Sequence, residues 1–143
     1  MELPMEPKLL ANLPEWLGDA ALVNGEEAAW EQKDCLAAIK WLSENNYALL
    51  GLELWLIRDD GMSTAISTKS SPAIYVTNCN PTKGETWKEY VQRSAREAAD
   101  HIAGFRWPED SLEPPRTAYF NLTWADREWF WTQEKNAKHT FDE

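Results

Sequence analysis

The stretch Tyr47-Ala48-Leu49-Leu50-Gly51-Leu52-Glu53-Leu54-Trp55-Leu56-Ile57-Arg58 decides the fold class. Leu50, Leu52, Leu54 and Leu56 form one row, while Tyr47, Leu49, Gly51, Glu53, Trp55 and Ile57 occupy the other. Period-two alternation with one wholly apolar side describes a strand whose leucine face lies on a core. Asp59-Asp60-Gly61 ends it with turn chemistry. A sheet therefore lies at the centre, and the flanking segments must cover the leucines.

Upstream, Glu26 to Asn46 reads as one amphipathic helix, because Ala28, Cys35, Ala38, Ile39 and Leu42 recur at steps of three, four and seven and Asn45-Asn46 supplies a stop. On such a helix Trp30 and Trp41 lie nearly three turns apart and share a stripe with Asp34 between them. Downstream, Ala73 to Cys79 reads as a strand pairing antiparallel with the first, with Ile74 and Val76 on the leucine side and Tyr75 and Thr77 opposite. Thr86-Trp87-Lys88-Glu89 fits a capping box and opens a second helix to about Ala103, with Trp87, Val91, Ala95, Ala98 and Ile102 on one face and Gly104 as its stop. Pro108, Pro114 and Pro115 make the next stretch a connecting loop. Thr117 to Trp124 alternates again, with Ala118, Phe120, Leu122 and Trp124 facing the core, and Ala125 to Trp131 reads as a turn of helix.

The expected fold is α+β: a small antiparallel sheet of three or more strands with two main helices packed on one face. One domain spans 1–143, with an N-terminal arm over 1–25 broken by Pro4, Pro7 and Pro14, and a frayed tail over 132–143. Leu9, Leu10, Leu13, Trp16 and Leu17 have the spacing to dock the arm on the core. The sheet face away from the helices should then carry Glu53, Trp55, Tyr75, Thr77, Tyr119, Asn121 and Thr123, a mixture of aromatic and polar groups typical of interface centres.

Charge narrows the function classes. Fourteen basic residues against 24 acidic ones give a net charge of -10, which repels nucleic acid and anionic membranes and favours a basic protein partner. The first 45 residues alone hold nine acids against three bases, a net of -6. The longest apolar run, Ala48 to Ile57, is interrupted by Glu53 and falls far short of the roughly 20 residues of a spanning helix. No secretory-type segment opens the chain, so the expected location is the cytoplasm, with Cys35 and Cys79 reduced.

Nine tryptophans in 143 residues exceed what a core of this size easily hides with every N–H satisfied, which points to some indoles facing a partner. The segment Trp124-Ala125-Asp126-Arg127-Glu128-Trp129-Phe130-Trp131 interleaves charges with large aromatics, as interface hot spots do, and it equally suits a cover over the core. Glu53 admits three readings: an exposed carboxylate on the open face, a structural hydrogen-bond anchor, or a general base. His101 and His139 lack metal-ligand spacing, the two cysteines form no paired motif, and neither a phosphate loop nor a nucleophile elbow occurs. No metal or cofactor is called for.

The run Leu42-Ser43-Glu44-Asn45-Asn46, the Leu-Gly-x-Glu-x-Trp pattern at Leu50 to Trp55, and Tyr119-Phe120-Asn121-Leu122-Thr123-Trp124 resemble small bacterial immunity proteins of polymorphic toxin systems, nearest the immunity protein 40 type. The resemblance covers Glu26 to Trp131 and implies an α+β fold, no enzymatic activity and binding to a cognate toxin domain whose active site is occluded. On this reading Trp30, Asp34, Trp41, Glu53, Trp55, Tyr75, Tyr119, Asn121 and Trp129 are the candidate partner-binding residues. The competing expectation is a small hydrolase or transferase with a pocket around Glu53, Tyr75 and Tyr119. A nucleic-acid mimic would need regularly spaced carboxylates, and the acids here are clumped.

Overall fold

The central strand is β3 (Ala48–Arg58), and its antiparallel partner β8 (Ala118–Ala125) sets both faces of the sheet. The computed structural model describes Leu10 and residues 12–132. Leu52 pairs with Leu122 and Leu54 with Phe120, so the apolar rows of both strands fall on one side. Six strands form one sheet among the described residues: β1 (Leu22–Asn24), β2 (Glu27–Glu31), β8, β3 and β4 (Gly61–Ser63) in that order, with β7 (Val76–Asn78) also pairing β3. A separate two-stranded ribbon joins β5 (Ala65–Ile66) to β6 (Ala73–Ile74). The fold is α+β, as the alternation in β3 implies.

Two long helices, α2 (Gln32–Glu44) and α3 (Trp87–Ala103), cover the leucine face. Cys35, Ala38, Ile39 and Leu42 from α2 and Ala95, Ala98 and Ile102 from α3 join Leu49, Leu52, Leu54, Leu56, Phe120, Leu122 and Trp124 in one core. Thr86 caps α3 as a complete capping box: its Oγ1 accepts from Glu89 N at 3.0 Å and Glu89 Oε1 accepts from Thr86 N at 2.9 Å. A second cluster of Ala48, Trp87, Tyr90, Val91 and Phe130 joins the first turns of α3 to the C-terminal α4 (Arg127–Thr132).

Four expectations need correction. The helix expected over Glu26–Asn46 is a strand followed by a helix: Glu27–Glu31 forms β2, paired with β8 through Ala29 opposite Asn121, and the helix begins only at Gln32. Gly25-Glu26 makes the tight turn between β1 and β2, closed by the Asn24–Glu27 pair, with Gly25 at φ 64°. Leu50 leaves the core row because a bulge between Leu49 and Gly51 shifts the pairing, and it packs against the second cluster instead. Val76 points outward, 49 % exposed, because β7 pairs it with Glu53 on the uncovered face, and Ile74, 66 % exposed, lies in β6, paired with β5 outside the main sheet. The N-terminal arm contains a short helix, α1 (Glu15–Ala20), which buries Leu17 and leaves Trp16 55 % exposed. Leu9 and the tail from residue 133 lie outside the described residues.

Gly51 is where β7 meets β3. A Cβ there would stand 2.8 Å from the Thr77 carbonyl oxygen and 3.0 Å from Asn78 Oδ1, and the carbonyl is backbone that cannot swing aside. Gly51→Ala should therefore displace β7 and lower stability by about 1–3 kcal/mol, measured by thermal unfolding. Gly18→Ala, with open space at its Cβ inside α1, should hold or raise the melting temperature.

Arg93 of α3 ties down the preceding loop. Its Nε and Nη2 grip Glu85 at 2.7 and 3.0 Å, Nη1 reaches Glu97 at 2.8 Å, and Nη2 donates to Asn80 O at 2.7 Å. The Arg93 guanidinium beside Glu85 holds its carboxyl below the ordinary value of 4.5. Because the folded carboxyl binds its proton less tightly than the unfolded one, this contribution is complete above that value and is lost as pH falls through the lower folded one. Glu85→Gln should lose less stability than the parent chain on acidification from about pH 5 to about pH 3, read from melting temperatures across that range.

Candidate functional site: a carboxylate-walled cup on the open sheet face

Side chains of β3 and β8 that point away from the helices build the floor of a concavity. In one cross-strand row, Ala29, Asn121, Glu53 and Val76 stand side by side, and in the next Gly51 lies between Thr123 and Asn78. Gly51 brings no side chain, so the sheet surface dips there where larger residues surround it. Beyond Ala125 the chain turns into α4, with Asp126 Oδ1 accepting from Trp129 N at 2.7 Å, and this turn brings Trp129 and Phe130 to one wall. The resulting cup encloses about 400 Å³ and is lined by Glu27, Glu53, Asn78, Asn121, Thr123 and Trp129 among others.

Glu53 Oε1 accepts from Trp55 Nε1 at 2.9 Å across two residues of one strand. This bond orients the carboxylate. Neither Glu53 nor Glu27 enters any of the ion pairs among the described residues, which join Arg58 to Glu113 and Arg93 to Glu85 and Glu97. Asn121 is 4 % exposed, and its Nδ2 donates to Ala28 O at 2.9 Å. A backbone carbonyl can only accept, so the amide orientation follows and Oδ1 is the free acceptor. At the rim, Cys79 N donates to Leu50 O at 2.9 Å and Tyr90 Oη donates to Cys79 O at 2.7 Å. Burial pushes the Cys79 thiol up despite nearby Arg93, which keeps it protonated. The described lining thus presents two carboxylates and the Asn121 carbonyl oxygen to the cup.

Of the nine sequence candidates, Glu53, Asn121 and Trp129 converge on the cup. Trp55 and Tyr119 pair with each other on the same sheet face, outside the cup lining, and Trp55 is 4 % exposed. Trp30 is fully buried in β2, donating from Nε1 to Leu17 O at 2.8 Å, so it is a core residue and offers a partner no surface. Tyr75 lies on the helix side, 5.2 Å in ring centroids from Phe105, because β7 is registered one residue away from the expected facing. Glu53, Tyr75 and Tyr119 therefore do not share a pocket. Asp34 and Trp41 lie on α2, where Trp41 stacks on Tyr47 with centroids 6.2 Å apart.

The indoles are mostly inside. Trp30, Trp55, Trp87 and Trp124 are buried, Trp41, Trp107 and Trp129 half-buried, and Trp16 alone among the described tryptophan side chains is exposed. Sequence reasoning missed Glu27, whose outward direction follows once Glu27–Glu31 is a strand. The signal was Asn24-Gly25 between Leu22-Val23 and the alternating run that follows. His101 is exposed on α3, and no group of three potential ligands gathers for a metal among the described residues.

The family model for immunity protein 40 matches residues 21–123, which takes in β1 through most of β8 and both long helices. No curated protein and no solved structure matched the chain. With well over half its length under that model, including both strands that floor the cup, the chain belongs to the immunity protein 40 family.

Proposed function

We propose that the chain binds and neutralises a cognate toxin domain of basic surface by seating it on the open sheet face and covering its active site. Family membership supports the inhibitor class. The observation that carries the choice of surface is the cup itself: two carboxylates without an ion-pair partner among the described residues face a concavity on the one side of the sheet that α2 and α3 leave uncovered. A net charge of -10 adds long-range attraction, which raises the encounter rate with a basic partner. Speed matters for an inhibitor, since a toxin must be captured before it acts. The protein makes no bonds of its own on this reading; it acts in the cytoplasm, where the toxin would be met.

Co-expression with the toxin domain encoded beside its gene should restore growth, and the purified pair should co-elute as a complex on size exclusion. Failure of both would remove the reading. Trp129→Ala should weaken the complex by about 2 kcal/mol, as truncation of a hot-spot aromatic does, with the fold retained by circular dichroism. Trp41→Ala, on the helix side, should lower the melting temperature and leave affinity near that of the parent chain, measured by calorimetric titration.

A further inference from the structure

We propose that the cup is the seat of one cationic side chain, an arginine above all, projecting from the bound toxin; the toxin as its source rests on the reading above. The case begins with the chain's own charges. Glu27 and Glu53 line one cavity of about 400 Å³, and no Lys, Arg or His belongs to its described lining. Like charges facing a concavity focus a negative potential inside it. Glu53 is already half satisfied: Oε1 holds Trp55 Nε1 at 2.9 Å, so Oε2 is the oxygen left to receive an incoming donor.

A second observation is independent of the acids. Asn121 is 4 % exposed, its Nδ2 is committed to Ala28 O, and its Oδ1 accepts no hydrogen bond from the described residues while the residue lines the cup. Oδ1 is not among the buried polar atoms left without a partner, so it is open to the cup, where an incoming donor can reach it. Asn121 pairs directly with Glu53 across β8 and β3, so the empty acceptor and the oriented carboxylate stand together on the floor. What the described lining lacks is a positive charge to match its two carboxylates. A guanidinium brings five N–H donors in a plane, and Trp129 in the wall is the kind of ring against which such a plane packs. No group of three potential metal ligands gathers among the described residues, and two carboxylates alone fall short of the six to eight oxygens of a calcium cage.

Two measurements test the seat. The first needs no toxin: nitrogen-resolved NMR of the full chain titrated with N-acetyl-argininamide at millimolar concentration, with N-acetyl-norleucinamide as the neutral comparison. The Asn121 side-chain amide and the Trp129 indole resonance should move with the arginine probe alone, and the response should vanish in the Glu27→Gln, Glu53→Gln double variant. Equal responses to both probes, or none, would overturn the seat. The second uses the toxin domain encoded beside the gene. There the double variant should bind about a hundredfold more weakly, and one toxin Arg→Ala or Lys→Ala change should lose a similar factor with little further loss when combined. A parent chain that binds the toxin while the double variant binds it equally well overturns the cation seat and leaves the inhibitor reading intact. A parent chain that takes the arginine probe and ignores the toxin does the reverse. Should the double variant unfold, Glu27→Gln alone, at an exposed hairpin position, carries the test with an expected loss of about tenfold.

Discussion

The pairing of β3 with β8 is the constraint on which everything else rests. Leu52 opposite Leu122 and Leu54 opposite Phe120 fix the apolar row under the helices, and the same register forces Glu53 opposite Asn121 and Gly51 opposite Thr123 on the far side. A slip of one residue would exchange the two faces, exposing the leucines and burying the carboxylate. The core therefore enforces the geometry of the cup. The packed interior and the proposed binding surface are built from alternate residues of the same two strands.

Loop chemistry holds the rim to that framework. Arg93 joins Glu85, Glu97 and the Asn80 carbonyl, and Tyr90 of the same helix reaches the Cys79 carbonyl. These bonds run from α3, on the covered face, around the sheet edge to the segment after β7. Asn78 thus stands at the cup because β7 is clamped from both sides, by Gly51 allowing close approach and by the Arg93 cluster closing behind it.

Legibility in the sequence follows how local the deciding interactions are. The strand over Tyr47–Arg58, the capping box at Thr86 and the alternation through Trp124 were readable because periodicity and caps are set within a few residues. Trp30 was not, since Ala28, Cys35 and Ala38 fit a helical period by coincidence, and only pairing with β8 turns Glu27–Glu31 into a strand. Leu50 was misplaced for a similar reason: a bulge has no signature in an unbroken apolar run, although the adjacent Gly51 marks where one strand backbone crowds another. Tyr75 went to the wrong face because the segment after β6 changes partner, and an alternation pattern gives the period of a strand without giving its phase. At the cup, the outward facing of Glu53 and Asn121 is legible because both lie on strands with clear alternation, whereas that of Glu27 depends on the strand that reads as helix.

Tryptophan content and acidic charge, which composition alone joins into one argument, separate in the structure. Trp30 and Trp124 sit with ring centroids 6.1 Å apart under the helices, and Trp87 packs with Tyr90 and Phe130 at 5.6 Å from each. Alanines line much of α2 and α3, with Ala38, Ala95 and Ala98 buried against the sheet, and helices carrying such small side chains leave gaps that wide indoles can fill at native packing density. Trp30 and Trp124 thus complement an alanine-rich helix layer, while Trp87 fills the second cluster. Charge has no such internal use. Acids cannot be buried unpaired at low cost, so the surplus stays at the surface, where Glu27 and Glu53 flank the dip at Gly51. The proposed binding surface consequently owes its character to carboxylates and carboxamides placed around that glycine, with Trp129 as its aromatic wall.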